Sequence, residues 1–133
     1  MALSKSMVFP TVLTIILFLS SLTLGNEANY EIIRPSSPVG WFEAKDSAEN
    51  LGGQLVVINN LSAQETIASL LLENDTAWIG GTDLVVEGTW VWHNGADWLY
   101  SNWGPGQPDT SAISDYAQIT YENNNIFLNI NFF

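Results

Sequence analysis

Residues 78–83 read Trp-Ile-Gly-Gly-Thr-Asp, and this stretch decides the fold of the chain. A tryptophan and a β-branched residue followed by two glycines predict a buried strand that closes on a turn. The stretch that follows, residues 82–114, is rich in Gly, Trp, Asn, Asp and Pro and has few periodic runs. A long irregular stretch inside a compact domain is typical of a functional loop. The strand therefore separates a regular part of the chain from an irregular one.

The residues before this strand predict another strand and a first helix. Residues 30–34 (YEIIR) predict the strand, and Pro-Ser-Ser-Pro at residues 35–38 ends it. Residues 41–51 have helical spacing, with four apolar residues on one face: Trp41, Ala44, Ala48 and Leu51. Gly52 and Gly53 end this helix, because glycine accepts the left-handed conformation found at helix ends.

A second helix and a late hairpin complete the predicted elements. Residues 54–58 predict a short buried strand. Residues 62–65 (Ser-x-x-Glu) match a capping box that starts a helix running to about Leu72. Residues 116–121 and 126–130 flank Glu-Asn-Asn-Asn as a predicted hairpin. The predicted fold class is α+β, with two helices, a few strands and one large loop region.

The N-terminus has the order of a secretory signal peptide. Lys5 precedes an apolar run at residues 7–24, and small residues at a cleavage position and a polar chain follow. An uncleaved membrane anchor is the alternative, because a run of about 18 apolar residues nearly spans a bilayer. Pro10 and several hydroxyl side chains weaken the run as a span. We expect a signal peptide at residues 1–25, a secreted domain at residues 26–133 and no stable membrane anchor.

The charge of the chain is strongly one-sided. It contains 14 Asp and Glu against three Lys and Arg, a formal net charge of −11. Loss of residues 1–25 would remove Lys5, leave Arg34 and Lys45 as the basic side chains and bring the charge to −12. Such a surface repels phosphate backbones and anionic lipid, so nucleic acid is excluded as a partner. The same surface attracts divalent cations.

Two further features bear on secretion. The chain contains no cysteine, although small secreted domains usually rely on disulfides. Asn-Leu-Ser at residues 60–62 and Asn-Asp-Thr at residues 74–76 are glycosylation sequons. Asn60 and Asn74 are therefore predicted glycan acceptors if the chain enters a glycosylating secretory route.

A series of motifs resembles the C-type lectin domain family in its order along the chain. The motifs run as follows: residues 41–44 (WFEA), 51–58 (LGGQLVVI), 78–83 (WIGGTD), 88–92 (GTWVW), 102–103 (NW) and 106–109 (GQPD). The resemblance extends from about residue 30 to residue 132. It implies a C-type-lectin-like fold with two helices, small antiparallel sheets and a long irregular loop region. Several motifs in the family's order make this more specific than any one of them.

The tripeptide Gln107-Pro108-Asp109 carries the functional part of the resemblance. In the family, the proline of this tripeptide is cis, and both flanking side chains bind one calcium ion and hydrogen-bond a sugar. Calcium takes six to eight oxygen ligands, and two sugar hydroxyls fill its open positions. The Gln-Pro-Asp order is the one the family associates with galactose-type sugars, whereas Glu-Pro-Asn is the mannose type. The resemblance therefore implies that Gln107 and Asp109 bind calcium and carbohydrate.

Other ligand positions depart from the family pattern. The family has another acid at the end of the loop, where this chain has Ser114. It has an Asn-Asp pair after a tryptophan on the later strand, where this chain has Phe127-Leu128-Asn129. Asn129 is then a neutral substitute and Leu128 removes an oxygen. Because calcium affinity depends on ligand charge and number, the resemblance implies weak calcium binding.

Some family members hold an auxiliary calcium ion with acids placed earlier in the loop region. Asp83, Glu87 and Asp115 match those positions, and Thr110 replaces a further acid. Three carboxylates would hold calcium with an affinity on the order of 10⁻⁴ M or weaker. The alternative is an acidic loop that is merely solvated.

The family's disulfides are replaced or missing. The cysteine of the first helix is Ala48 here, and the pair of the late hairpin is Tyr116 and Phe132. Two aromatic rings at these positions would pack together in place of the covalent link. The family's final strand, which pairs with the first, has no counterpart after Phe133. We therefore expect residues 30–34 to leave an unpaired strand edge.

Three classes of function remain. The first is a galactose-type carbohydrate-binding module whose partner is a carbohydrate or glycoprotein. The second is a lectin-like domain that recognises a protein, an ice surface or a mineral surface. The third is an enzyme, which we do not expect, because no nucleophile motif occurs and His93, the lone histidine, is expected to be a solvated loop residue.

Overall fold

The computed structural model describes residues 14–20, 29–109 and 113–131. Two helices and six strands follow one another: β1 (Thr14–Ser20), β2 (Asn29–Ile33), α1 (Trp41–Asn50), α2 (Leu61–Ala68), β3 (Thr76–Thr82), β4 (Val91–Trp92), β5 (Tyr116–Glu122) and β6 (Asn125–Asn131). The α+β class is confirmed. The elements predicted for the first strand, the first helix, the central strand and the late hairpin all form.

The described strands make one sheet in the order β2-β1-β3-β5-β6, with the short β4 paired to β3. β1 lies between β2 and β3, antiparallel to β2 and parallel to β3. β1 thus gives β2 a partner on one side, while β2 remains the end strand of the described sheet with its outer edge unpaired, as expected for residues 30–34. β1 comes from inside the predicted signal peptide. Cleavage after residue 25 and the domain boundary at residue 26 stay predictions.

The first helix packs against the sheet by the face that its spacing predicts. Trp41, Ala44 and Ala48 are buried, and the Trp41 indole Nε1 donates to the Ile79 carbonyl at 2.8 Å. Leu51 does not belong to this face, since it caps the helix end and is 60% exposed. Gly52 follows with a φ of +86°, the left-handed conformation that the sequence predicts.

Two local predictions need correction. Residues 54–58 do not form a regular strand, although Leu55, Val56 and Ile58 are fully buried. The Gly80 N–H of β3 donates a hydrogen bond to the Val56 carbonyl at 2.8 Å and so connects this segment to the sheet. The second helix begins after Asn60, whose Oδ1 accepts from the Ala63 N–H at 2.8 Å. Because this cap precedes Ser62, the predicted capping box at residues 62–65 does not start the helix.

Tyr116, which stands where the family has a cysteine, packs against three aromatic rings. Its ring stacks on Trp41 at 5.1 Å between centroids and meets Phe42 at 5.6 Å and Trp78 at 6.5 Å. It therefore joins β5 to α1 and β3 in one aromatic cluster. The predicted contact between Tyr116 and Phe132 lies outside the described residues. None of the helices in the described part of the chain is long and apolar enough to cross a bilayer.

Candidate functional site

Four tryptophans shape the long loop between β3 and β5. Trp98 stacks on Trp92 with ring centroids 4.1 Å apart and on Trp103 at 5.9 Å. Trp90 meets Trp103 at 4.9 Å and Trp98 at 6.1 Å. Within this loop, β4 is a strand of two residues only. Ring packing therefore gives the loop a defined shape where backbone pairing does not.

The Gln-Pro-Asp tripeptide and Asn129 come together at Gly104. The Gln107 N–H donates to the Gly104 carbonyl at 3.0 Å, which closes the turn that leads into the tripeptide. A Cβ on Gly104 would lie 3.1 Å from Asn129 Oδ1, so β6 approaches this turn closely. The peptide bond between Gln107 and Pro108 is cis, as the resemblance implies. The fold thus brings Gln107 and Asn129 to one turn.

Ser114 and Asn129 occupy sheltered positions. Ser114 is 2% exposed. Asn129 is half-buried, and its Nδ2 donates to Thr120 Oγ1 at 3.1 Å across the hairpin. The side chains of both residues offer neutral oxygens and no charge.

Leu128 is buried against the long loop. It is 0% exposed and shares a core cluster with the loop residues Trp90 and Trp92, and its backbone pairs with the loop on either side of Trp103. An asparagine there would bury its amide in this core. The interpretation of Leu128 as a position that has lost a ligand stays a prediction.

Asp83 and Asp115 are joined through the backbone. The Asp83 N–H donates to the Asp115 carbonyl at 3.2 Å. Asp83 is 2% exposed, and its Oδ2 accepts from the Gly88 N–H at 2.9 Å. Its Oδ1 has no hydrogen-bond partner among the residues that the structure describes. A buried carboxylate with one oxygen unpaired is costly and needs an explanation.

Glu87 feels the negative charge of three other acids. Its pKa is raised from the ordinary 4.5, first by partial desolvation and then by the charges of Asp83, Asp115 and Asp109. The carboxylates of Asp83, Asp115 and Asp109 are therefore near enough to Glu87 for their charges to act on it. The described acids do not converge tightly enough to form a ready metal site of three ligands.

This donor set fits a weakly held calcium ion. Carboxylate and amide oxygens are the ligands calcium prefers, and clustered negative charge favours a divalent cation. The unpaired oxygen of buried Asp83 is consistent with a cation ligand. The neutral Ser114 and Asn129 and the lack of convergence both argue against tight binding.

His93 is a structural residue and not a solvated one. Its Nε2 lies 3.1 Å from the Leu55 carbonyl, and its ring meets Trp41 edge-on at 6.2 Å. A Cβ on Gly80 would clash with the ring, which explains why β3 has a glycine there. The expectation that His93 is solvated is wrong, and its partners explain its position without catalysis.

Both sequons lie on the surface. Asn60 is exposed at the cap of α2, and Asn74 is exposed with a φ of 69° in the turn before β3. Either side chain is accessible to a modifying enzyme.

A cleft that the sequence did not reveal lies between residues 102–105 of the long loop and residues 122–127 of the hairpin. Asn102 and Trp103 were assigned to a fold motif, and the turn at residues 122–125 only to a hairpin. The run of asparagines in that turn was the available signal, because consecutive amides offer many donors and acceptors.

The helices, the sheet and the aromatic-packed loop define a C-type-lectin-like binding domain. Residues 37–126 match the Lectin C-type domain, and the chain belongs to that family. These domains are generally binding modules and not enzymes.

The chain is 36% identical over 84 residues to the galactose-specific lectin nattectin of Thalassophryne nattereri, a match covering 60% of this chain and 53% of nattectin. It therefore spans about half the length of that relative. Among solved structures, the carbohydrate-recognition domain of cow CD23 has a TM-score of 0.61 and 30% identity over 69% of each chain. A calcium-independent type II antifreeze protein has a TM-score of 0.61 and 28% identity, covering 68% of this chain and 67% of that one.

Proposed function

We propose that this domain binds carbohydrate of the galactose type with the help of a weakly held calcium ion. The observation that best supports calcium is the buried Asp83 carboxylate, with one oxygen unpaired and with Asp115 and Glu87 close by. A divalent cation would offset the repulsion among these acids and supply a partner for that oxygen. Similarity to a galactose-specific lectin and the Gln-Pro-Asp order support the sugar class.

Each candidate residue has a distinct proposed role. Gln107 and Asp109 would bind calcium and the sugar hydroxyls, and Asn129 and Ser114 would add neutral oxygens. Asp83, Glu87 and Asp115 would hold an auxiliary calcium that stabilises the loop, because the charges of Asp83 and Asp115 act on Glu87. With one formal charge at the sugar site, the ion binds weakly there and the sugar more weakly still.

A second candidate function is recognition of a protein, an ice surface or a mineral without sugar. The similarity to a calcium-independent antifreeze protein favours it. So does an exposed apolar stretch in the loop, where Leu84, Val85 and Val86 are 51%, 87% and 56% exposed. This function would not need the calcium ligands.

Calcium titration followed by tryptophan fluorescence separates the two functions, because the loop holds four indoles. Under the first function we expect a saturable change that chelator reverses, followed by galactose binding stronger than mannose binding. Asp83→Asn should weaken the calcium response, since it keeps an acceptor for Gly88 but removes the charge. Asp97→Asn, an exposed acid of the same loop, is the matched control. The absence of a fluorescence response to calcium would favour the second function.

We also propose secretion after removal of residues 1–25, with glycans at Asn60 and Asn74. The expected result is protein in the medium that begins at residue 26 and loses mass on treatment with an N-glycosidase. Recovery only in membrane pellets with an intact N-terminus would contradict secretion.

A further inference from the structure

The cleft between the long loop and the hairpin has the size of a ligand site. Its volume is about 470 Å³. Sites for small molecules are usually concave and measure about 300–1,000 Å³. None of the acids proposed as calcium ligands lines it: Asp83, Glu87, Asp109 and Asp115 all lie outside the lining. The cleft is therefore separate from the carboxylates of the proposed calcium sites.

The loop wall of the cleft is fixed to the hairpin by hydrogen bonds. The Leu128 N–H donates to the Asn102 carbonyl at 2.8 Å, and the Gly104 N–H donates to the Leu128 carbonyl at 2.9 Å. The Asn102 Nδ2 donates to the Ile126 carbonyl at 2.8 Å. This wall is preformed, so a ligand would not have to order it on binding.

The opposite wall is equally well defined. Asn123 and Asn124 have φ angles of 53° and 60°, the left-handed pair of a tight hairpin turn. The Asn123 N–H donates to Glu73 Oε1 at 2.5 Å, and the Asn125 Nδ2 donates to the Asn123 carbonyl at 3.0 Å. The turn is thus held in place from outside the hairpin as well as from within.

The lining combines aromatic surface with amides and one carboxylate. Trp103 and Phe127 are half-buried, whereas Glu122, Asn123 and Asn125 are exposed at the rim. Amides both donate and accept hydrogen bonds, and a carboxylate accepts them. A hydroxylated ring with an apolar face, such as a pyranose, matches this mixture of apolar surface and hydrogen-bonding groups.

Charge disfavours an anionic ligand in this cleft. The lining of the cleft contains no Lys or Arg, and Glu122 adds a negative charge. The basic side chains in the described part of the chain are Arg34 and Lys45, which form ion pairs with Asp75 and Glu49. Sulfated, phosphorylated or carboxylated sugars would meet repulsion.

We propose that this cleft is a calcium-independent binding subsite for a neutral pyranose. Trp103 and Phe127 supply the apolar wall, and Glu122, Asn123 and Asn125 supply hydrogen bonds to hydroxyl groups. The subsite does not rest on the proposed calcium site, because the two share no carboxylate.

The test is a titration of the full chain with methyl β-galactoside and methyl β-glucoside in excess EDTA, followed by NMR of backbone amides and indole N–H groups. We expect millimolar binding that shifts the signals of residues 122–127 and of Trp103. Asn123→Gly should weaken binding at least about threefold, because it removes an amide and glycine keeps the left-handed turn. Asn124→Gly, next to it in the same turn but outside the lining, should change binding by less than about twofold.

Several outcomes would overturn the subsite. Absence of shifts at millimolar sugar in EDTA would do so, as would shifts confined to residues 107–109. Equal binding by wild type and a folded Asn123→Gly variant would also contradict it. If Asn123→Gly does not fold, the wild-type shift map alone decides. Sugar binding in EDTA that survives Asp109→Asn would show that this subsite is independent of the calcium site. The subsite would then stand even if the proposed calcium site does not bind calcium.

Discussion

The body of the domain and its long loop are held together by different contacts. In the body, the long strands pair their backbones along β3, β5 and β6, and α1 packs on them through a cluster of buried rings and alanines. In the loop, a two-residue strand and four packed tryptophans replace that backbone pairing. Removal of one tryptophan ring should therefore destabilise the loop more than removal of one aliphatic side chain destabilises the body.

The two regions also differ in how they treat charge. In the body, Arg34 pairs with Asp75 at 2.7 Å and Lys45 with Glu49 at 2.6 Å. In the loop, partial desolvation and then the charges of Asp83, Asp115 and Asp109 raise the pKa of Glu87. Two acids of the body thus have a basic partner, whereas Glu87 is repelled by acids near it, and a cation would offset that repulsion.

Removal of Trp98 should have the largest effect. Trp98 contacts Trp90, Trp92 and Trp103, so Trp98→Ala is expected to lower the free energy of unfolding by about 3 kcal/mol or more. Denaturant unfolding measures this, and the near-ultraviolet circular dichroism of the loop should collapse with it. Leu99→Ala is the control, since Leu99 is 77% exposed and should cost no more than about 0.5 kcal/mol. A loss below about 1 kcal/mol for Trp98→Ala would mean that the rings do not hold the loop.

A polar group at Leu128 should destabilise the domain without strengthening calcium binding. Leu128→Asn buries an amide in the core that Leu128 shares with Trp90 and Trp92 and is expected to cost about 3 kcal/mol of unfolding free energy. Calcium affinity should not increase. Tighter calcium binding by this variant would show that the side chain at 128 can supply a calcium ligand.

Gly81 lies where the body meets the loop. A Cβ there would be 2.9 Å from both the Ala117 Cβ and the Trp98 ring, so Gly81→Ala should cost about 1–3 kcal/mol. In the Trp98→Ala background, the same change should cost at least about 0.5 kcal/mol less, because part of the clash is gone. A thermodynamic cycle from denaturant unfolding measures this coupling. Strict additivity would contradict the close approach of the ring to β3.

Restored charge in the loop should reveal its calcium chemistry. Ser114→Glu combined with Asn129→Asp is expected to tighten calcium at least about tenfold, or ~1.4 kcal/mol. Galactose should then bind better than mannose. Asn124→Asp combined with Asn125→Asp adds the same two charges at the hairpin turn and is the matched control in calcium calorimetry. An unchanged calcium affinity would favour the function that does not involve sugar. Stronger binding of mannose than of galactose would contradict the galactose assignment of Gln107 and Asp109.

The smallest effect should come from Glu87. Its raised pKa means that the folded state holds the proton more tightly than the unfolded chain, so ionised Glu87 disfavours folding. The penalty is absent below about pH 4, sets in as pH rises through the pKa and persists above it. Glu87→Gln should therefore raise Tm slightly at pH 7 and leave it unchanged near pH 4 in calcium-free buffer. A lower Tm at pH 7 would mean that the loop already compensates this charge.

Local patterns predicted the body well and the site only in part. The spacing of Trp41, Ala44 and Ala48 identifies α1, and alternation around a turn identifies the hairpin, because both depend on neighbours in sequence. Leu51 was misplaced because the helix ends just before it. The second helix was started too late because Asn60 caps it ahead of the capping-box motif.

The features that sequence did not reveal depend on distant contacts. The burial of Leu128 follows from the register of β6 against Trp103, and the partial burial of His93 from its packing on Trp41. The cleft exists because residues 102–105 are hydrogen-bonded to a strand more than 20 residues further along. A family motif identifies candidate residues such as Gln107 and Asp109, but it does not predict which residues surround them in the folded chain.

The position of β1 makes the timing of secretion matter. Five residue pairs join β1 to β2, and three more join it to β3. If residues 1–25 are removed, β2 and the start of β3 both lose that partner, and the sheet opens along a seam between its edge and its centre. An open seam is a template for any extended chain of suitable pattern. If the proposed cleavage occurs before folding, the domain never contains this strand; if it occurs after folding, the strand must be extracted from between β2 and β3.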